Sequence, residues 1–592
     1  MPRHNEPPNI DQAWFEMATF RGRSFDQGTV WIPLRSVNDL IDIGEPTRNG
    51  YITECLQLGS LAVRLSERQR GDTLGWNDLG VTHWHSSYVR DDGSYSSLDH
   101  LDNGFDSFGY RLVIDQYIEG ERYAEWHVQP DLVVALGLKR ERDTWVSPAR
   151  DYEEAIRLSR DSEGKPCQIE IRAQYLKDYL CARKMALRIS LFRQRMVVLN
   201  SRDCVDWPTE LVENTQSNNR WEGRIQEIHE GTGMQYGSTM AVFHMGRTEV
   251  DETVDVPDFE MGEGVASDSW TKTFDGRKLY RIMGELWKDE WVEPAAQSHI
   301  VTGEEPAPTT LFVVNEKGER ETGTTLVKGV RWLWFKPEVV PALLQHRGGG
   351  LGWYTRFTGH VGCSKLNGVH FGINQLGFVN VFAKDIGQLP EWQQRVWVAF
   401  NVGPEGGVSE ELLASQNRAA PADTQAPEAF LETAMERLNK ASLAKFGYKI
   451  LQDHAYVDEL LPQAHRFRSL NRDGLQSLAK DLARLVVDRI AALEIQKTVP
   501  PPKNEKWGGL KSLEKLVATR IGDKGAHDIM GPLHGIYTLR LSDAHLPGGD
   551  AEEAMALAKI DTSEPYVHQG LHVLVTCVGT MWLIADIIGS RF

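Results

Sequence analysis

Alternating apolar and polar residues dominate the first part of the chain and predict β-strands. The segments YRLVIDQYI (110–118) and CQIEIRAQ (167–174) alternate in the manner of half-buried strands. Directly after the second of them, QYLKDYLCARKMAL (174–187) places its large apolar side chains near one helical face, which predicts a helix. We therefore expect residues 1–215 to form a mixed α/β region.

Residues 216–420 are richer in Gly, Trp and strand-like runs, a composition that is typical of β structure. LFVVNEKG, RWLWFKP and LGWYTRF are such runs. The segment 369–386 predicts two strands around the Gly-Phe pair at 377–378, and the residues after it predict a short helix opened by Pro390. We expect a β-rich, tryptophan-containing region with short helices.

The pattern changes to helical periodicity after residue 427. One segment carries an apolar stripe at helical spacing, formed by Leu475, Leu478, Leu482, Leu485, Val486 and Ile490. Proline-bearing polar stretches at 301–310 and 418–429 indicate boundaries, and a third at 498–509 indicates a loop between two helices of one bundle. The predicted fold class is a multidomain α+β protein whose residues 428–592 form an all-α helical bundle.

Composition narrows the classes of function. The formal net charge of −18 argues against a surface built to coat a polyanion, so any contact with nucleic acid has to be local. No signal-peptide pattern opens the chain, and no C-x-x-C pair is present, so we expect a cytoplasmic protein with reduced thiols. The six cysteines are Cys55, Cys167, Cys181, Cys204, Cys363 and Cys577.

An apolar run near the C-terminus, 570–589, raises the question of a membrane. Its uncharged part is shorter than the roughly 20 apolar residues that a bilayer span needs, and His572 and Asp586 bracket it closely. We predict a buried last helix of the bundle and no membrane contact, with a membrane anchor as the alternative.

Two patterns outside the bundle could carry metal or nuclease chemistry. His83 and His85 lie on one side of a predicted strand at a spacing that suits two metal ligands, but no third ligand can be assigned. Asp131 with Glu170 and Arg172 resembles an acid followed by an E-x-K strand, but arginine replaces the lysine and cannot act as a base. P-loop, G-x-S-x-G and H-E-x-x-H motifs are absent, and we expect no metal and no cofactor.

The segment TLRLSDAHLPG carries the chemistry that we favour. Arg540 and His545 are about 140° apart around an ideal helix, so they converge only where the helix ends or bends, and Pro547 provides such an end. A histidine can transfer a proton near neutral pH, and a guanidinium fork fits a phosphodiester. Asp543 lies between the two residues in sequence, where it can pair with Arg540.

This Arg-x4-His pair in a helical region resembles the HEPN superfamily, over residues 430–592 at most. The resemblance implies a metal-independent endoribonuclease that works as a homodimer, with a ribose 2′-hydroxyl as nucleophile and 2′,3′-cyclic phosphate products. It implies that His545 acts as general acid or base, that Arg540 binds the scissile phosphate and that Asp543 orients one of them. Many such domains lie at the C-terminus of bacterial toxins and anti-phage proteins, so we expect an RNA-directed effector.

The match departs from the HEPN pattern at Leu541, because a polar residue usually follows the arginine in active members. A second pair with a spacing in range, Arg520 and His527, spans two glycines and is the weaker candidate. The alternative is a non-enzymatic sensor or scaffold whose bundle mediates dimerisation or docks a partner. The trigger or ligand of the N-terminal regions has no sequence signature.

Overall fold

The computed structural model describes residues 8–80, 88–89, 92–102, 107–247, 265–274, 276–303, 309–541 and 548–590. The chain forms two compact units, Met1–Glu304 and Glu305–Phe592, which we call the N-terminal and C-terminal units. The proline-bearing stretch 301–310 contains this division. The boundary expected at 215/216 falls inside the strand Leu211–Gln216, which pairs with the next strand of the same sheet, and the region 216–420 is shared between the two units.

The N-terminal unit is mixed α/β. Its helices are α1 (Gln12–Glu16), α2 (Ala18–Gly22), α3 (Arg68–Asp72), α4 (Trp76–Leu79), α5 (Pro130–Ala135) and α6 (Ala173–Arg183). Its strands are β1 (Trp31–Ile43), β2 (Tyr51–Arg64), β3 (Tyr88–Val89), β4 (Tyr95–Ser96), β5 (Leu101–Asp102), β6 (Ser107–Phe108), β7 (Val113–Gln116), β8 (Glu125–Val128), β9 (Lys139–Glu141), β10 (Thr144–Ser147), β11 (Glu153–Arg160), β12 (Pro166–Arg172), β13 (Met185–Leu199), β14 (Leu211–Gln216), β15 (Asn219–His229), β16 (Thr239–Arg247), β17 (Val265–Thr273) and β18 (Lys278–Val292).

A ten-stranded antiparallel sheet organises this unit, in the order β14-β15-β18-β13-β2-β1-β12-β11-β10-β9. Strand β13 lies near its centre and is buried on both faces over its first half, because it reads as a nearly continuous apolar run. The predicted helix at 174–187 forms as α6, but it ends at Arg183. Lys184 adopts a left-handed conformation there (φ 54°), and β13 begins at the next residue.

Asp178 on α6 fixes the last described turn of the N-terminal unit. It is 4 % exposed, and its carboxylate accepts hydrogen bonds from a hydroxyl and three backbone amides. The donors are Ser298 Oγ (2.8 Å), His299 N (2.5 Å), Ile300 N (2.7 Å) and Val301 N (3.0 Å). Burial acts to raise the pKa of Asp178, but the hydrogen bonds outweigh burial and hold the pKa below its ordinary value.

The C-terminal unit combines a smaller sheet with the helical region. Its strands are β19 (Leu311–Val313), β20 (Arg320–Thr322), β21 (Trp332–Phe335), β22 (Gly350–Trp353), β23 (Thr358–Gly362), β24 (Val369–Ile373), β25 (Val379–Phe382) and β26 (Asn401–Val402). Its helices are α7 (Gly323–Leu326), α8 (Val339–Leu344), α9 (Ala383–Gly387), α10 (Glu391–Val398), α11 (Glu410–Arg418), α12 (Leu431–Phe446), α13 (Val457–Leu460), α14 (Arg472–Leu482), α15 (Ala492–Thr498), α16 (Gly509–Leu541), α17 (Gly548–Leu557) and α18 (Tyr566–Gly589).

Local predictions hold in the sheet of this unit, and one helical stripe is interrupted. Strands β24 and β25 flank Gly377, and α10 begins directly after Pro390, as predicted. The stripe that begins at Leu475 runs through α14 into a π-helical turn and then stops. Arg489 O and Ala491 N instead form backbone hydrogen bonds with the strand-like segment 450–452.

A buried ion pair joins the sheet of the C-terminal unit to its helices. Arg466 is fully buried, and its Nε and Nη2 donate to the two carboxylate oxygens of Glu428, each at 2.7 Å. Its Nη1 donates to the carbonyl of Arg356 at 2.6 Å, and its guanidinium lies 4.2 Å from the ring centre of Trp353 on β22. Phe467 stacks on the same tryptophan.

Helix α18 contains the apolar run near the C-terminus. It is long and apolar enough to cross a membrane by length and composition, but fourteen of its residues are buried, as in a core helix. Its first turns lie close to the turn at 466–469: a Cβ on Gly570 would lie 2.8 Å from Ser469 Cβ, and Ser469 Oγ donates to Tyr566 O. Glycine permits this close approach.

We expect Glu428→Ala to lower the free energy of unfolding of the full chain by about 3–5 kcal/mol, because it leaves the Arg466 charge buried without its partner. The measurement is urea unfolding followed by tryptophan fluorescence. Glu436→Ala removes an exposed glutamate of α12 and is the matched control, expected to change stability by less than about 0.5 kcal/mol. Equal effects of the two substitutions would contradict the assigned role of Arg466.

We expect Asp178→Asn to destabilise the protein by about 1–3 kcal/mol at pH 7, because an amide offers one oxygen where the carboxylate accepts through two. The folded pKa is depressed, so this contribution is complete above the unfolded pKa of about 3.9 and is lost as the pH falls through the folded value. The stability gap between parent and variant should therefore shrink from pH 5 towards pH 2. A gap that is independent of pH, or one equal to that of the exposed control Asp206→Asn, would contradict this expectation.

Candidate functional site

Arg540 lies in the last turn of α16 and is held by a residue that the sequence did not indicate. Its Nη1 donates to both carboxylate oxygens of Asp488, at 2.5 and 2.6 Å, and its guanidinium carbon lies 5.7 Å from the ring centre of Tyr537. The two charged side chains are 29 % and 33 % exposed. Asp488 therefore neutralises the positive charge of Arg540, which the predicted site would use to bind the scissile phosphate.

Asp543 and His545 lie outside the described residues, so the geometry of the predicted triad is limited to Arg540. The second predicted pair is Arg520 and His527, but the side-chain hydrogen bond of His527 is made with a glutamate and not with Arg520. That histidine, which is 66 % exposed, forms a hydrogen bond from Nδ1 to the buried Glu514 at 3.3 Å. A carboxylate oxygen of Glu514 also lies 3.4 Å from Nε2 of His534. Helical periodicity does not predict this pairing, because the helix is kinked at Gly522, between the two residues.

Of the remaining sequence candidates, Asp131 and Arg172 each contact groups other than those that the predicted nuclease core requires. Asp131 accepts a hydrogen bond from Tyr179 and pairs with Arg183, whereas Arg172 donates to the carbonyl of Glu154. His83 and His85 lie outside the described residues. Within the residues that the structure describes, no group of three His, Cys, Asp or Glu side chains is arranged to hold a metal ion.

A cleft of about 460 Å³ lies in the N-terminal unit on one face of the ten-stranded sheet. Strands β18, β13, β2, β1, β12 and β11 supply its floor, and the segment 20–31 supplies a wall. Most of the lining is apolar and includes Phe20, Phe25, Trp31 and Leu58. Its size falls within the range of small-molecule sites.

Strand register brings the side chains of the floor together. Lys288, Leu191, Leu58, Ser36 and Gln168 are successive partners on five neighbouring strands, so they form one row on the same face. A second row contains Arg193, Leu56 and Asn38. Glu170 and Arg157 are partners across β12 and β11.

The wall segment is held against the sheet by two charged residues of β18. Lys288 is 3 % exposed, and its Nζ donates to the backbone carbonyl of Arg23. The carboxylate of Glu290 accepts hydrogen bonds from the Phe25 amide at 3.0 Å and the Asp26 amide at 3.3 Å. The wall therefore depends on hydrogen bonds to the sheet at its base.

A chain of polar side chains crosses the floor. Asn38 Nδ2 donates to Gln168 Oε1 at 3.0 Å, and Gln168 Nε2 donates to Glu170 Oε2 at 2.6 Å. Glu170 also pairs with Arg157, whose guanidinium lies 4.2 Å from the ring centre of Trp31. These groups are fixed before any ligand enters, which lowers the entropic cost of binding.

Among the described residues that line the cleft, Arg193 is the buried cation with an unused donor. It is 5 % exposed at its side chain, and its Nε donates to Glu54 Oε1 at 2.7 Å; Arg195 donates to the same oxygen at 2.8 Å. The Nη1 atom of Arg193 is buried and has no hydrogen-bond partner among the described residues. Burial lowers the pKa of Arg193, opposed by the charge of Glu54, but an arginine stays protonated.

Sequence reasoning missed the cleft, although its residues follow a visible pattern. Ser36, Asn38 and Leu40 are two positions apart on β1, and Leu191 and Arg193 are two apart on β13, which is the spacing of one strand face. The pattern predicts which side chains share a face of their own strand. It does not predict which strands become neighbours.

Comparison of the chain with protein-family models, with characterised proteins and with solved structures finds no match. The chemistry of the cleft and of the Arg540 segment is therefore inferred from their own residues.

Proposed function

We propose that this protein is a ligand sensor whose N-terminal unit binds a small molecule in the sheet cleft. The observation that carries the proposal is a mostly apolar cleft of about 460 Å³ that contains a preformed polar chain and is lined by Arg193, whose Nη1 is a buried donor without a partner among the described residues. A large apolar pocket with a few convergent polar groups is the usual form of a small-molecule site. This function belongs to the non-enzymatic class that the sequence left open.

The cleft lies on rigid elements, which supports a binding role. Its floor consists of central strands of the sheet, and Leu58, Leu191 and Ser36 in the floor are each at most 3 % exposed. Sites built on packed strands keep their geometry better than sites built on loops. A ligand would contact both the floor and the segment 20–31, so binding would tie that segment more firmly to the sheet.

We expect the full chain to bind two fluorescent naphthalene probes saturably, one probe per chain: neutral N-phenyl-1-naphthylamine and anionic 8-anilinonaphthalene-1-sulfonate. Val30 is 61 % exposed at the mouth of the cleft. Val30→Trp narrows the mouth and should weaken the binding of both probes at least tenfold, about 1.4 kcal/mol.

The matched control for this titration is Val330→Trp, which places the same bulk at a valine of the C-terminal unit that is 87 % exposed. It should bind both probes as the parent does. Absence of saturable binding to the parent, or equal binding by the two variants, would refute the proposed sensor site.

RNA cleavage by the C-terminal helical region, as the HEPN resemblance implies, is the second candidate function. It is favoured by the fixed orientation of Arg540, which Asp488 holds at the end of α16 directly before the segment that contains Asp543 and His545. A phosphate would have to share the guanidinium with Asp488. In such an effector a homodimer through the C-terminal helices, in the cytoplasm, would supply the composite site, and ligand binding in the cleft would be the trigger.

For this second function we expect the protein to cleave total cellular RNA or tRNA in the presence of EDTA, leaving 2′,3′-cyclic phosphate and 5′-hydroxyl ends. His545→Ala should reduce the rate at least 100-fold, the smaller end of what a general acid–base group contributes. His454→Ala, at an exposed histidine of the same helical region, is the control and should cleave as the parent does. Cleavage that survives His545→Ala, or a parent that stays inactive with probe bound in the cleft, would count against this function.

A further inference from the structure

We infer that the cleft selects an anion with an apolar body, such as an amphipathic carboxylate or sulfonate. This inference rests on the proposed sensor function and names the ligand class of the same site. It comes from the charge of the lining, from the incomplete pairing of Arg193 and from the position of the apolar residues. Each of these three features is a property of the N-terminal unit alone.

The cleft is electropositive in a protein whose net charge is −18. Its lining contains four basic side chains, Arg23, Arg157, Arg193 and Lys288, against one acidic side chain, Glu170. With the adjacent Arg195, Glu54 and Glu290 included, there are five basic side chains and three carboxylates: Glu54 accepts from both Arg193 and Arg195, and Glu290 lies 3.5 Å from Lys288. A cleft of one sign with apolar walls concentrates ions of the opposite sign.

Arg193 offers the most specific contact for the anion. One oxygen of Glu54 accepts from Nε and Nη2 of Arg193 and also from Arg195, which leaves Nη1 without an acceptor. A buried donor without a partner costs free energy that a ligand oxygen would recover. The guanidinium carbon lies 3.4 Å from the ring centre of Phe20, which also lines the cleft.

The apolar residues determine where the rest of the ligand would lie. Leu56 is the strand partner of Arg193, and Leu58 and Leu191 are partners in the adjoining row, so an apolar surface begins directly beside the guanidinium. Phe25 and Trp31 continue this surface along the wall. An anion attached to an apolar body would therefore place its charge at Arg193 and its body along the leucines.

The two naphthalene probes test this selectivity because they share the arylamine body and differ in the sulfonate. We expect the parent to bind the anionic probe at least tenfold more tightly than the neutral one, by fluorescence titration at 50 mM salt. Arg193→Met should abolish this preference while it leaves binding of the neutral probe within twofold. The Arg193→Met substitution also leaves Glu54 paired with Arg195, so that the Glu54 carboxylate is not buried without a partner.

Arg224→Met is the charge-matched control, because it removes one positive charge from an exposed position of β15 and should preserve the preference. If Arg193→Met does not fold by circular dichroism, Lys288→Met takes its place with the same expected loss of preference. Equal affinity of the parent for both probes would overturn the anion inference and leave the sensor function standing. If neither probe binds, both the anion inference and the sensor function are overturned. A preference for the anionic probe that survives Arg193→Met and Lys288→Met would overturn the assignment of the anion to this cleft.

Discussion

The buried Arg466–Glu428 pair is the constraint on which the C-terminal unit depends. Removing a guanidinium and a carboxylate from water costs several kcal/mol per ion, so the pair is compatible with folding only when its hydrogen bonds are made together. Arg466 makes three of them, to Glu428 and to the carbonyl of Arg356, and it lies over Trp353. Strand β22 and the segments before α12 and α14 must therefore meet at one point, which explains why Phe467 belongs to the core of the sheet.

The buried arginine of the N-terminal unit, Arg193, has a different environment from Arg466, and this environment suits ligand binding more than a structural role. Arg193 also pairs with a glutamate and stacks on an aromatic ring, but it shares its carboxylate with Arg195 and keeps one buried donor without a partner. A fully satisfied cation adds specificity to a core. A buried donor without an acceptor is unfavourable, and a ligand oxygen that accepts its hydrogen bond in the cleft would remove this cost.

Arg540 is an intermediate case. Its ion pair with Asp488 is about one-third exposed, so water screens it and its contribution to stability is about 0–1 kcal/mol. A pair of that strength can exchange partners with a phosphate at little cost, whereas the Arg466 pair cannot. The same residue type thus supports a structural role, a binding role or an exchangeable contact according to its burial and to the number of acceptors around it.

The sequence by itself determined the elements whose signal is local. These include β12, the start of α6, the strand pair around Gly377, the helix after Pro390 and the helical character of the last part of the chain. Only the tertiary structure decided the rest: the interruption at Arg489, where backbone pairing with 450–452 replaces the helix, the partner of Arg540, and the cleft. The rows of the cleft floor join residues that are as far apart in sequence as Ser36 and Lys288, and Arg540 and Asp488 are 52 positions apart in sequence. Periodicity fixes which side of its own strand or helix a residue occupies, but partners far along the chain are selected by packing and charge balance once all elements have met.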